Sequence, residues 1–580
     1  MSGTGAAPQP EPTGSGEWLG WVARIWAELA IVGYLLWEAL GPSPVRGQGD
    51  YWQRLVGLAV LVMIVAGHLI TWRWEIQGAT VMAVGGSMIV LVTSSRFEGW
   101  RETLLVLVGF TGPAVLYWWR WRRDRHHMRV VALGILLTVL VAGTVAFAAV
   151  AQRIAFGPSH PQSTLTALPP ASVVWAWSGD LTPTSAAVVA RVREPQATVR
   201  LAVSADGQLT DPLWFTPSNR PAEDPGVARF DLTGLEPGTR YQYAVEVDGT
   251  LVRERTGQVR TIPDGPASFS FAFGNCARIG SNASAFDRIR EAGPDLLIHL
   301  GDFAYTDFWT DDRAAVRGMY DTQLTTPAMD ALVRAVPVAY MWDDHDFGPN
   351  DADSTADSAP AAQVVYREVV PHPDLPAGVG PEAIYHSFTL GRVRFILTDS
   401  RSERSPKAAP DDADKTMFGA AQWLWLIEEL DAAGEAGQAV VLVTSVPWNG
   451  VAQAGADDWA GYTTERRRLA DAIAGAGLAD QMLMIAGDAH MLAIDDGTNT
   501  DFSTSQAGGF PLMHAAAFDR LGSSKAGPYS EGAIPGGGHF GLARVDDDGT
   551  DITITLSGRD HTGAELVGYE FTVPATALTR

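Results

Sequence analysis

The 580-residue chain has a single cysteine, Cys276, so no disulfide can form within it, and that thiol is structural, reactive or a ligand. Basic residues are scarce in most of the chain. Residues 1–155 hold 12 Lys+Arg and 9 Asp+Glu, which leaves 30 (42 less 12) against 57 (66 less 9) for the remainder. No Lys/Arg patch of the kind that phosphate backbones need is evident there, so nucleic-acid binding is not expected. Small phosphate esters stay open as ligands, because bound cations can invert a local field. A cleavable leader pattern is lacking as well: the first apolar stretch begins late, runs long and has no basic residues ahead of it.

The length calls for several domains. Residues 1–17, rich in Gly, Pro and Ser, read as a disordered N-terminus. Apolar stretches come next, near 19–41, 54–72, 77–95, 102–120 and 130–152, each close to the roughly 20 residues a spanning helix needs. They predict an α-helical transmembrane block of about five helices over 18–153, with tryptophans such as Trp18, Trp72, Trp74 and Trp119 at the interfaces. The basic segment Arg120–Arg129 would lie in the cytoplasm, making a multi-pass cell-membrane protein whose acidic body is extracytoplasmic. A Pro/Ser-rich linker spans 154–170. Residues 171–263 alternate in short β-type runs separated by Gly, Pro and Asp turns, as in a small β-sandwich. The segment Leu232–Tyr243 resembles the fibronectin type III corner that a tyrosine hydroxyl closes.

From 264 to 580 one pattern recurs. The apolar run Leu296-Leu-Ile-His-Leu300 ends in Gly301-Asp302, Val336–Trp342 ends in Asp343-Asp344-His345-Asp346, and Met482–Ala486 ends in Gly487-Asp488-Ala489-His490. Buried parallel strands with helical segments between them predict an α/β fold, and ligands in such folds bind at the carboxyl ends of strands. Three tips that deliver Asp and His to one rim point to a metal site.

Together with Phe271-Ala-Phe-Gly-Asn-Cys276, Gly301-Asp-Phe-Ala-Tyr305, Trp342-Asp-Asp-His-Asp346 and Thr398-Asp-Ser-Arg401, these tips resemble the PhoD-type alkaline phosphatases and phosphodiesterases, within the calcineurin-like metallophosphoesterase superfamily. The likeness runs over roughly 171–570. It implies a metallophosphoesterase α/β sandwich at 264–580 and a centre of Fe3+ and Ca2+, with Zn2+ or Mn2+ as alternatives. Carried over, Cys276, Asp302, Tyr305 and His490 would hold the iron. Asp302 would bridge to a second ion held by Asp344 and Asp488, where carboxylates favour a hard cation. His345 would be the catalytic acid, held by Asp343 or Asp346. Arg401 and Arg404 would clamp phosphate, and His514 and His539 would be outer or substrate contacts.

The sequence departs from the superfamily in two places: Asn275-Cys276 stands where most members open with Asp-x-His, and Pro447-Trp-Asn449 lacks the usual metal-binding histidine. The expected function is hydrolysis of phosphate mono- or diesters by a hydroxide generated at the metals. The substrate would be a small molecule or a wall polymer or lipid. A membrane sensor or scaffold with a ligand-binding, non-catalytic phosphatase-like domain is the alternative.

Overall fold

The computed structural model describes residues 17–40, 51–93, 100–124, 162–506, 509–523 and 525–578. They fall into two units, one within Met1–Ala155 and one from Phe156 onward.

The first unit is formed of the helices Glu17–Leu40, Tyr51–Ile70, Glu75–Thr93 and Trp100–Asp124. Small side chains let them approach: Ala23, Ala27, Ala79, Ala83 and Ala114 are buried with Tyr117 and Trp118. Arg120 reaches Glu75 at 3.1 Å and His68 reaches Glu28 at 3.6 Å. The expected transmembrane block is overturned here, because among the described residues no helix is long and apolar enough to cross a membrane. Arg24 and Glu28 break the first apolar stretch and Pro113 sits inside the fourth helix, so polar and irregular positions interrupt the roughly 20 apolar residues that a span requires. The multi-pass membrane location and the extracytoplasmic placement of the body rested on those spans and are withdrawn with them. The fifth stretch, 130–152, and the N-terminal tail 1–16 lie outside the described residues.

The second unit opens with two small antiparallel sheets. One holds Val173–Gly179, Ser185–Val192 and Val227–Thr233; the other is built on Val199–Ser204 and Arg240–Val247. Val188, Ala190 and Phe230 from the first meet Leu201, Val203, Tyr243 and Val245 from the second in one core. The Tyr241 hydroxyl accepts a hydrogen bond from the Glu236 N–H at 2.8 Å, which closes the turn between strands. The strand Val173–Gly179 turns its outer face to the helices Arg313–Leu324 and Ala359–Val369. Trp175 Nε1 donates to Asp321 at 2.7 Å, and Trp177 Nε1 donates to the Val369 carbonyl at 2.8 Å.

Two larger sheets then stack face to face. The six-stranded sheet runs in the order Val338–Tyr340, Leu296–His299, Phe269–Gly274, Phe540–Asp547, Ile552–Arg559, Glu565–Val573, with its first three strands parallel. The seven-stranded sheet runs His386–Leu390, Val393–Leu397, Ala439–Thr444, Met482–Ala486, Leu512–Ala515, Met491–Asp495, Ala533–Pro535, and its second to fifth strands are parallel.

The period of two along each strand decides which side chains lie between the sheets. Phe271, Phe273, Phe395, Leu397, Val441 and Ile485 fill that layer, and the Phe271 and Phe395 rings meet edge-on at 5.3 Å. The alternate residues face helices. Ala272, Leu297 and Val338 pack on Ser284–Ala292, Arg313–Leu324 and Pro327–Ala335, while Ile396, Val440 and Met484 pack on Gly419–Glu435 and Thr463–Gly475. The result is a helix–sheet–sheet–helix sandwich with the carboxyl ends of both parallel sets at one rim.

Candidate metal centre

Six parallel strands deliver the rim. Phe269–Gly274 runs into Asn275-Cys276, Leu296–His299 into Gly301-Asp302, and Val338–Tyr340 into Asp343-Asp344-His345. From the other sheet, Val393–Leu397 runs into Asp399-Ser-Arg401, Ala439–Thr444 into Ser445, and Met482–Ala486 into Gly487-Asp488. Strands this apolar are buried along almost all of their length, so the polar residues just past their ends are left at the edge of the core. Backbone strain gathers there too: Cys276, Asp302, Asp307 and Asp488 all have left-handed φ, between 51° and 61°. The tips also crowd one another. A Cβ on Gly301 would collide with the backbone of Asp343, and one on Gly487 would collide with the Asn275 amide.

The sulfur of Cys276 lies 3.3 Å from Asp302 Oδ2, and the Tyr305 hydroxyl lies 2.8 Å from His490 Nε2. His490 Nδ1 donates to the Leu521 carbonyl at 2.7 Å, so its Nε2 presents a lone pair to the site. One ligand atom from each of Asp302, Asp344 and His345 fits within 4.8 Å of the others. Asp344 accepts from the backbone N–H of Asp351 at 2.6 Å and of His345 at 3.0 Å. Asp488 is paired with Lys525, whose Nζ is 2.7 and 2.9 Å from its two oxygens. The structure thus brings the six expected ligand residues to one rim.

The electrostatics are those of a place that wants a cation. Burial pushes Asp302 up to about 8, helped by the charges of Asp344, Asp346 and Asp488. Burial, then the charge of Asp302, also raises the Cys276 thiol and the Tyr305 phenol well above their ordinary values. Protons on these groups do the neutralising that a metal would do better, since a bound cation inverts the local balance and keeps thiolate and carboxylate ionised. Both side-chain polar atoms of Asn275, and Asp343 Oδ2, are buried with no hydrogen-bond partner among the described residues. Oxygen, sulfur, phenol and imidazole donors around such orphaned atoms fit a metal centre.

Three expectations about the surrounding residues need correction. His345 is held by neither Asp343 nor Asp346: its Nδ1 donates to Asp307 Oδ1 at 2.5 Å. Asp346 instead accepts backbone N–H groups, from Ala304 at 3.2 Å and Asp343 at 3.3 Å, and so braces the tip. Arg401 is fully buried and its donors are taken by Asp343 at 2.6 Å, Asp457 at 3.0 Å and the Ala352 carbonyl at 3.2 Å, so it fixes Asp343 and does not face an open substrate site.

Arg404 is likewise enclosed, 2.9 Å from both Asp457 and the Tyr462 hydroxyl. His514 approaches the Tyr529 hydroxyl at 3.2 Å, and His539 is buried behind Ala517. Sequence reasoning does not reach Asp307, Arg520 or Lys525. Asp307 stands two residues beyond Tyr305, a nearness that could have marked it. Arg520, whose guanidinium lies 3.9 Å over the Tyr305 ring, and Lys525 belong to a Gly/Ser loop without any pattern.

Burial opposes a charge on His345, but Asp344, Asp302 and Asp307 outweigh it and push its pKa up to about 10. It is therefore a protonated acid near neutrality. His490 goes the other way, to about 4, through burial and then the nearby Arg520 charge, which leaves its imidazole neutral and able to coordinate.

Residues 271–513 match the model of the PhoD-like phosphatase family, and residues 13–129 match that of a domain of unknown function, DUF7670. Among solved structures, the chain is similar to PhoD at 18% identity with a TM-score of 0.57, over 70% of this chain and 92% of that one. It also matches a dimetal phosphatase from Danio rerio at 15% identity and a TM-score of 0.31, over 53% of this chain and 99% of that one. The likeness to PhoD shows a shared fold; the second is too distant in shape to argue from. No curated protein matches the sequence.

Proposed function

We propose, from the geometry of the rim, how this protein, a metal-dependent phosphoesterase with a PhoD-like phosphatase domain at residues 271–513, works and on what. Its substrates are phosphate mono- or diesters, and its centre is a mixed one of Fe3+ and Ca2+. The observation that carries this reading is the pairing of Cys276 with Asp302 and of Tyr305 with His490 at 3.3 and 2.8 Å, beside the oxygen-only pair Asp344 and Asp488. Thiolate, phenolate and imidazole suit iron, and carboxylates suit a hard cation. Held by Cys276, Asp302, Tyr305 and His490 on one side and by Asp344 and Asp488 on the other, such ions would supply Lewis acidity towards the phosphoryl group and towards water.

The chain's own residues do the rest. Asp302, from the tip of its strand, offers one oxygen towards Cys276 and the other towards His345, so it can serve both sides of the site. His345 holds a proton on its ring, oriented through Nδ1 by Asp307, and Nε2 is the atom that delivers it to the leaving oxygen. The imidazolium also offsets the charge that builds on the phosphoryl oxygens. Arg401 acts at one remove, keeping Asp343 and its tip in place. Substrate chemistry rests on the ester phosphate, which a small molecule, a wall polymer or a lipid can present.

The test is metal analysis and a visible spectrum of the full-length protein, together with hydrolysis of an aryl phosphate and its diester with and without Ca2+. A tyrosinate-to-iron absorption and Ca2+-dependent turnover are expected, with the ratio of the two rates naming the preferred ester. A folded, colourless protein that hydrolyses neither ester would overturn the proposal.

A further inference from the structure

The carboxylates expected to hold metal are satisfied in different ways. Asp344 is satisfied by backbone donors and by His345, and Asp302 by Cys276 and the His345 N–H. Asp488 has Lys525, whose ammonium bridges both of its oxygens. Lys525 is not enclosed: 43% of its side chain is exposed, so its four-carbon stem can withdraw into solvent.

Its loop, by contrast, is tied down close by. Leu521 accepts from His490 Nδ1 at 2.7 Å, Ser523 N–H donates to the His490 carbonyl at 2.9 Å, and His490 N–H donates to the Ser523 hydroxyl at 3.1 Å. The backbone is thus anchored two residues from Asp488, while the side chain that carries the ammonium keeps a solvent-facing side. An ammonium and a divalent cation cannot share the same two carboxylate oxygens, since their charges repel at contact distance.

We propose that Lys525 is an internal counter-cation: it occupies Asp488 when the second metal ion is absent, competes with that ion for the carboxylate, and is released towards solvent when the ion binds. This deepens the reading of Asp488 as a ligand and rests on it. Self-competition lowers the apparent affinity for the second cation by the fraction of molecules in which Lys525 has already let go. It also keeps Asp488 from standing as an uncompensated buried charge in the unloaded protein.

Calorimetric titration of Ca2+ into full-length protein stripped of calcium tests this, using wild type, Lys525→Met, Lys525→Arg and Asp488→Asn. Lys525→Met is expected to bind Ca2+ at least about tenfold more tightly than wild type, with Lys525→Arg close to wild type. Unfolding temperatures give the second readout: Lys525→Met should melt below wild type without Ca2+ and level with it at saturation. Equal or weaker Ca2+ binding by Lys525→Met would overturn the proposal and make Lys525 a supporting residue. If neither wild type nor Lys525→Met binds Ca2+, or if Asp488→Asn binds it as wild type does, the ligand reading of Asp488 fails, and the two failures are told apart.

Discussion

Asp307 and His345 show how one contact sets a chemical role. A 2.5 Å hydrogen bond from Nδ1 fixes the ring and helps to hold its proton, so the pair is a placed acid and its orienting carboxylate. Asp307→Asn keeps the shape and removes the charge. It is expected to lower kcat by about 10²-fold, within the range for general acid catalysis. The pH profile separates this from a loss of structure. His345 acts while protonated, so rate falls as pH rises through its pKa, and losing Asp307 should move that alkaline limb to lower pH with the fold unchanged by circular dichroism. Tyr305→Phe belongs to the same scale: the variant should lose the tyrosinate absorption while still binding Ca2+, which a visible spectrum and a calcium titration check together.

Among elements, the strand Val173–Gly179 has an unusual burden. It closes the small sandwich on one side, and its two indoles donate to Asp321 and to the Val369 carbonyl on the other. Trp177 is fully buried against Phe303 and Tyr320, with ring centroids at 5.9 and 6.5 Å, and Phe303 immediately follows Asp302. Trp177→Ala should cost about 3–5 kcal/mol in urea unfolding, the range for large aromatic truncations in a core. Activity loss should exceed the loss of folded protein, because the cavity opens beneath the Asp302 tip.

The whole molecule carries a pH signature. His299, His372, His386, His490, His514 and His539 are all pushed down by burial, the first to about 3 and the others to about 4. The unfolded chain therefore binds more protons than the folded one between those values and roughly 6.5, and stability is lost as pH falls through that window. Asp302 at about 8 and Asp346 at about 6 work in the opposite sense in the cation-free protein, since the folded form holds protons that the unfolded form has released and stability declines as pH rises. Metal binding displaces the Asp302 proton and removes that opposing trend. The unfolding temperature of the metal-loaded protein should fall steadily from pH 7 to 4.5, and that of the chelated protein should change less over the same range. Parallel curves with and without metal would contradict the placement of a cation at Asp302.

What the sequence by itself determined is the grammar of the rim. Runs such as Leu296–Leu300 and Met482–Ala486 are buried on both faces, and an Asp or His that comes directly after must emerge at the strand end, so local order alone announces Asp302, Asp344, His345, Asp488 and His490. The turn around Tyr241 was legible for the same local reason. The apolar stretches near the N-terminus misled, because counting apolar residues does not weigh the charged and helix-bending positions among them, and no described helix there can cross a membrane.

Only the tertiary structure decided which partner each polar group takes. Asp307, not Asp343 or Asp346, meets His345; Arg401 is drawn inward by Asp343 and Asp457; and Lys525 arrives on Asp488 from 37 residues away. Pairing between charges depends on distance through space, and loops set that distance by turns that leave no periodic trace in the chain.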